Sequence, residues 1–293
     1  MFITLVFEWG AVMDNNTSSE LVDSFTDFYR QYYADEIGEL AERYPKDQRS
    51  LFIEYDDLYT FNPDLAEDFV GNPGQVRECA EEALRVFDLP VDVTLSDAHV
   101  RLRGLPDSLG IRNIRVQDDH VGQLVAVKGV VRKATDVRPK IVEGAFECQR
   151  CGTMNHVPQV VEDFEEPHEC QGCERQGPFR INHDQSSFID AHKIRVQENP
   201  EGLRGGETPQ SIDVHVEDDI TGLVTPGDHV TVTGILRIEQ STEGNKKSQM
   251  FDVYLDGMAI TVEDEEFEEM NISDADKEEI VELSNSDDIY QLM

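Results

Sequence analysis

The chain of 293 residues predicts an α+β fold: an N-terminal helical bundle, then a small β-barrel or sandwich with a four-cysteine insertion. Three observations predict it. Apolar residues recur at spacings of three and four as far as about Asp88. After Pro90 the alternation changes to period two. Two close cysteine pairs then interrupt the β pattern.

Leu21, Phe25, Phe28, Tyr29, Tyr32 and Tyr33 form the apolar stripe of an amphipathic helix. It opens a stretch from about Ser19 to Asp88 that reads as helical throughout. Ile37 to Tyr44 continues the pattern after a break, and Pro45 stops it. Asp56 to Tyr59 is a further helical piece, and Asn62-Pro63 marks a new start. Gln75 to Phe87 is the clearest later helix, with Val76, Cys79, Ala83, Val86 and Phe87 on one face. Cys79 lies inside that stripe and reads as a buried core thiol.

Val91 to Leu95 opens the period-two region. Leu124 to Val131, Ile141 to Glu147, Phe188 to Gln197, Ser211 to Glu217, His229 to Ile238 and Met250 to Leu255 repeat the signal. Turn chemistry such as Pro226-Gly227-Asp228 separates the strands, as a barrel or sandwich requires. From Glu263 onward there are 13 acids against Lys277 alone, with Ser273 and Asp276 as a capping pattern for a helix over Asp274 to Leu283. The last residues give no sign of a finished domain.

The composition sets limits on function. Hydrophobic residues make up 39% and include 14 Phe, enough for a real core. No run of about 18 apolar residues exists to span a membrane. The apolar opening, Met1 to Val12, has no basic n-region or small-residue cleavage site, so a signal peptide is a poor reading and Met13 is an alternative start. Lys plus Arg total 25 against 61 Asp plus Glu, for a net charge of −36. The acids are spread along the chain, and Arg (17) outnumbers Lys (8). That pattern resembles proteins of organisms with molar internal salt, where a screening length of about 3 Å suppresses self-repulsion. A low-salt acidic protein that binds cations or basic partners is the alternative. Neither excludes nucleic acid, because a local patch can oppose the global sign.

Cys148-Gln-Arg-Cys151 and Cys170-Gln-Gly-Cys173 are the strongest motif, two C-x-x-C knuckles 18 residues apart. They supply four thiolates for a tetrahedral Zn²⁺ with no open position, hence a structural metal. Gly152 and Gly172 suit tight knuckle turns. Five cysteines without a secretion signal argue for metal in a reducing, cytoplasmic compartment rather than disulfides. His156 and His168 are weaker candidate ligands.

A charge reversal follows from Val100 to Val142, with nine bases (Arg101, Arg103, Arg112, Arg115, Lys128, Arg132, Lys133, Arg138, Lys140) and four acids. A barrel face can carry Arg132, Lys133, Arg138 and Lys140 against phosphates. The plainer reading is a few solvated arginines paired with acids. Arg237 to Tyr254 reads as a hairpin around Glu243-Gly244-Asn245, with Lys246 and Lys247 at its tip. The sequence contains no G-x-x-x-x-G-K-[ST], no H-E-x-x-H and no G-x-S-x-G.

These features together resemble the N-terminal half of the archaeal minichromosome maintenance (MCM) replicative helicase. The helical opening, the finger-interrupted oligonucleotide-binding (OB) barrel, FIDAHKIRVQENPEGLRGGETPQSIDVHVEDDI from Phe188 and VTPGDHVTVTGIL from Val224 carry the resemblance. It implies an irregular or mis-called tail over 1–18 and a helical A subdomain over 19–104. An OB-fold DNA-binding domain would span 105–262, with the zinc ribbon inserted at 146–180. An acidic linker over 263–293 would lead to an AAA+ motor, absent here, that binds ATP and Mg²⁺. Single- and double-stranded DNA and other replication-fork proteins are the implied partners, and the implied assembly is a homo-hexamer or double hexamer joined through the finger. No membrane is involved.

In this family Lys133 and Arg138 match the barrel bases that hold single-stranded DNA, and Lys246 and Lys247 match the basic hairpin tip. Arg132, Lys140 and Arg195 join them as DNA-contacting candidates. Glu198, Asn199, Pro200, Glu201, Gly202, Leu203, Arg204, Gly205, Gly206, Glu207, Thr208 and Pro209 match the loop that signals to the motor. Gln210 stands where the family often has Arg, so no DNA contact is carried over to it. The acidity fits a haloarchaeal member. Without a motor the chain alone is expected to be inactive as an ATPase. A free-standing single-strand-binding protein and a pure assembly module remain as alternatives.

Overall fold

A computed structural model describes residues 15–89, 93–114, 120–159, 164–199, 208–243 and 246–263. The apolar opening, the acidic end with its expected helix, and the Gly244-Asn245 turn lie outside the described residues.

Among the described residues five α-helices make the first body: α1 (Asn15–Tyr32), α2 (Ala34–Arg43), α3 (Tyr55–Phe61), α4 (Pro63–Gly71) and α5 (Pro73–Arg85). The periodic aromatics do what their spacing implies. Phe25, Phe28 and Tyr29 are fully buried, and the Phe28 ring lies 5.4 Å from those of Tyr32, Tyr33 and Phe61. Asn62 caps α4 by accepting from the Asp64 and Leu65 amides at 3.1 and 3.4 Å, with Pro63 in the first turn. Cys79 is buried in the core as expected.

Four expectations need correction. The tail set aside as irregular is too long, because residues 15–18 already belong to α1. The first 88 residues are not all helical: Ser50–Glu54 forms a strand, β1, that pairs in parallel with β2 (His99–Arg103). A parallel pair needs a crossover, and α3 to α5 supply it. Val93 to Leu95 forms no strand, and Leu95 is buried in the helical core instead. Val86 lies past the end of α5 and is 58% exposed, so it leaves the apolar face.

Among the described residues eight strands follow: β3 (Leu124–Ala134), β4 (Arg138–Cys148), β5 (Met154–Pro158), β6 (Phe179–Ile181), β7 (Ser187–Gln197), β8 (Ser211–Glu217), β9 (His229–Glu243) and β10 (Lys246–Glu263). Their order is β3-β9-β10-β8-β7-β4-β5, and an additional β3–β7 pairing closes β3, β9, β10, β8 and β7 into a barrel. Closure depends on β3 passing from one neighbour to the other at Gly129. A Cβ there would stand 2.3 Å from the Gln197 carbonyl. Val127, Val131, Val196, Val214, Val232, Leu236 and Leu255 fill the interior. The β4–β7 ladder continues into β5 and β6; Cys148 ends β4, Cys151 lies in the turn between β4 and β5, and Cys170 and Cys173 lie between β5 and β6.

Barrel and helices share a boundary. Leu124, Ile235 and Met258 pack into the helical core. Arg101 on β2, 6% exposed, donates Nε to Ser50 Oγ at 2.7 Å and Nη1 to the Met258 carbonyl at 2.5 Å, and its Nη2 pairs with Asp219. Beside it, His99 Nε2 meets Asp218 at 2.8 Å, and Arg49 meets the same carboxylate at 3.2 Å. We expect Phe28→Ala to cost about 3–5 kcal/mol, because the aromatic cluster cannot collapse into the void. Denaturant unfolding measures this, and a loss below about 1 kcal/mol would show that Phe28 is not central.

Candidate metal centre and nucleic-acid interface

The end of β4 delivers Cys148 into a tight turn. Gly152 adopts φ +74°, and its N–H donates to the Cys148 carbonyl at 2.8 Å. The second knuckle repeats the geometry without glycine: Glu174 takes φ +53° and donates to the Cys170 carbonyl at 2.9 Å. The two turns face each other, and all four sulfurs lie within 4.8 Å of one another. Cys148 and Cys173 are 3.9 Å apart, and Cys151 and Cys170 are 3.5 Å apart. A tetrahedron with Zn–S bonds of about 2.3 Å has sulfur–sulfur edges of about 3.8 Å, so this donor set can hold a metal ion.

The thiols also compete with one another. Burial resists ionisation of Cys170, but the Cys173 and Gly172 amides outweigh it and bring its pKa down to about 6. Burial and the three neighbouring sulfurs push Cys173 up to about 12. A cation among them removes that competition. His156 is engaged elsewhere, 2.6 Å from Glu143, and His168 is exposed outside the cluster.

Sequence reasoning missed Asn155, which is 1% exposed. Its Nδ2 donates to the carbonyls of Phe146 and Thr153, each at 3.2 Å, and its Oδ1 accepts from the Gln171 amide at 2.8 Å. That one amide ties the two knuckles together. Its only sequence signal is a polar residue at a buried position of a β alternation.

The barrel face sorts the predicted bases into two groups. A β-bulge between Val131 and Lys133 sets Lys133 opposite Arg195 on β7. Arg132, Lys133 and Arg138 are exposed and carry no ion pair among the described residues. Arg195 instead forks onto Asp213, Nε to Oδ1 at 2.5 Å and Nη2 to Oδ2 at 2.7 Å, and holds that carboxyl below the usual range. Lys140 meets Glu217 at 2.6 Å. Lys193, unnoticed in the sequence, is exposed on the same face of β7, two residues before Arg195. The β9–β10 hairpin forms as expected but is longer, with Lys246 opposite Glu243 and Lys247 opposite Thr242.

Of the expected signalling loop, Pro200 to Glu207 lies outside the described residues. Its base is well defined. The Glu198 amide donates to the Gln210 carbonyl at 2.9 Å, and the Gln210 amide returns a bond to Glu198 Oε2 at 3.0 Å. Arg112, 86 residues earlier, adds its backbone N–H at 2.9 Å, Nε at 3.1 Å and Nη2 at 2.9 Å. Gln210 itself is exposed and lines an open cleft of about 650 Å³ with Ile111, Arg112 and Val253.

The Arg112 guanidinium outweighs burial and holds the Glu198 carboxyl at a pKa of about 2. A folded pKa below the unfolded value of about 4.3 adds stability at neutral pH, and that stability is lost as pH falls through the window between them. Glu198→Gln removes this contribution. Its unfolding free energy should therefore fall less steeply between about pH 5 and pH 3 than that of the unsubstituted chain. Parallel denaturant-derived profiles would show that the ion pair adds nothing.

Comparison with known proteins agrees with this geometry. Residues 19–104 match the MCM N-terminal domain and residues 110–240 the MCM OB domain. The minichromosome maintenance protein MCM of Saccharolobus solfataricus is 31% identical over 262 residues, 86% of this chain and 38% of that protein. The DNA replication licensing factor MCM4 of Drosophila melanogaster is 28% identical over 80% of this chain and 27% of its own. The chain thus spans well under half the length of these relatives. A 1.8 Å crystal structure of the N-terminal domain of an archaeal MCM superposes with a TM-score of 0.71 at 32% identity, covering 84% of this chain and all of that one. Helices ahead of a closed barrel, a four-cysteine ribbon and these matches together make the chain a member of the MCM family, carrying its N-terminal and OB domains.

Proposed function

We propose that the chain is the DNA-binding and ring-assembly portion of a hexameric MCM helicase acting in DNA replication. One observation carries the reading. In a chain with 61 acids and 25 bases, Arg132, Lys133 and Arg138 stand exposed on the barrel with no carboxylate among the described residues. Free bases on such a background suit phosphate contact. In this reading, residues 19–104 form the A subdomain, 105–262 the OB-fold domain with its ribbon at 146–180, and 263–293 the linker to the motor. ATP and Mg²⁺ belong to that motor, so this chain alone hydrolyses no ATP. The reading includes a cytoplasmic location, a molar-salt host, and partners comprising single- and double-stranded DNA, a homo-hexamer or double hexamer, and other fork proteins. Among the described residues no helix is long and apolar enough to cross a membrane.

Lys133, Arg138, Lys246 and Lys247 act as a set repeated around the ring. Six chains on one strand convert later contacts into intramolecular ones at high effective concentration. Lys133→Ala with Arg138→Ala should weaken oligonucleotide binding about tenfold or more in fluorescence anisotropy. Lys246→Ala with Lys247→Ala should weaken it and flatten the log–log salt slope by roughly 0.7 per lost phosphate contact, with sedimentation unchanged. Arg175→Ala, on the ribbon, is the control that leaves binding intact. A single-strand-binding protein of the free-standing kind would bind equally well per chain without forming rings, and sedimentation with and without DNA separates the two readings.

The four cysteines are assigned to one structural Zn²⁺ per chain. Cys170→Ser should lose the metal and unfold the ribbon while the helical core melts as before, because metal binding and local folding are one event. Elemental analysis reads the metal. Chain purified without chelators and found free of zinc would overturn the assignment.

A further inference from the structure

The barrel face holds two kinds of base. Arg132, Lys133 and Arg138 are free of carboxylates among the described residues, whereas Arg195 and Lys140 are each held by an acid from one strand, β8. Arg195 and Asp213 are direct cross-strand partners. Lys140 sits on β4, which does not pair with β8. Its Nζ reaches Glu217 at 2.6 Å across β7, where Ala191 lies in register with Glu217 and offers only a methyl group. Both pairs stay open to water, at 53% and 41% side-chain exposure for Arg195 and Asp213 and 51% and 33% for Lys140 and Glu217. Exposed ion pairs of this kind are weak and readily exchanged.

We propose that Asp213 and Glu217 are built-in competitors for phosphate: a bound strand exchanges each intramolecular ion pair for a phosphate contact, and each freed carboxylate takes up a cation. The inference rests on the reading of this face as a DNA-binding surface.

The exchange changes how binding responds to salt. A phosphate neutralised by a free base releases a condensed cation and contributes roughly −0.7 to the log–log slope. When the base leaves an ion pair, the freed carboxylate captures a cation and offsets that release. Salt screens the internal pair as well as the new contact, so the balance between them shifts little. Arg195 and Lys140 therefore supply contacts that survive concentrated salt, which the free bases cannot do. The consequence is weaker binding in dilute buffer, where the internal pairs compete best.

The test measures anisotropy of a labelled oligo-dT from dilute buffer to molar KCl. Asp213→Asn with Glu217→Gln should bind several-fold tighter in dilute buffer. Its slope should steepen by up to about 1.4, for two contacts of roughly 0.7 each, so that its advantage disappears at molar salt. Each single substitution should give about half the change. Asp136→Asn makes the same charge change at an exposed acid in the β3–β4 loop that has no ion pair among the described residues, and it should leave the slope unaltered. A slope parallel to that of the unsubstituted chain in the double variant, or a matching change in Asp136→Asn, would overturn the exchange. Lys133→Ala with Arg138→Ala separates the two failures. If that variant binds normally, the face itself is misread. If it binds poorly while the Asp213 and Glu217 variants keep the original slope, the exchange alone is wrong.

Discussion

The fold depends on the guanidinium of Arg101. A buried cation is costly unless its donors are matched, and this one is matched by three parts of the chain. Ser50 belongs to β1, Met258 to β10 and Asp219 to the turn after β8. Satisfying one side chain thus fixes the helical body against the barrel. The apolar seam of Leu124, Ile235 and Met258 lies along the same boundary and removes room for an alternative docking. Because β10 is also one arm of the hairpin, the strand that ends at Lys246 and Lys247 is anchored deep in the molecule.

Polar side chains elsewhere follow the same logic of complete pairing. Asn155 uses both ends of its amide to hold the knuckles, and Glu198 accepts from Arg112 and Gln210 to close the base of a loop. In a chain this acidic, carboxylates are plentiful and free bases are scarce. What separates Lys133 from Arg195, its cross-strand neighbour, is only whether an acid stands opposite.

The elements that could be read from the sequence were those whose burial is periodic. The aromatic stripe of α1 and the alternation in β7 and β8 each place one face in a core, and that face is written in the spacing. The four cysteines were legible because coordination demands fixed residue types at fixed intervals. The pair β1 and β2 was not: each strand has five residues, and their partnership spans three intervening helices. A longer separation in sequence, 86 residues, hid the Arg112–Glu198 pair. β9 was cut short, and β10 begun too late, because the polar hairpin arms lose the alternation that marks a half-buried strand. β10 was also ended too early, because a register shift between Gly257 and Ala259 breaks the alternation beside buried Met258 and Ala259.

Strand β4 belongs to two structures at once. Its first half pairs with β7 in the barrel sheet, and its second half pairs with β5 and β6 and ends at Cys148. Eleven residues at about 3.3 Å each make a rod of roughly 36 Å with Arg138 at one end and a thiol of the metal cluster at the other. A bulge at Val142, where the β4–β7 register shifts between Ile141 and Glu143, is where the strand bends between its two halves, so Arg138 and Lys140 lie on the barrel side of that bend and Cys148 on the other. The position of the ribbon relative to Arg138 and Lys140 is therefore set at one residue of one strand, and the backbone geometry at Val142 fixes the angle between metal cluster and barrel face.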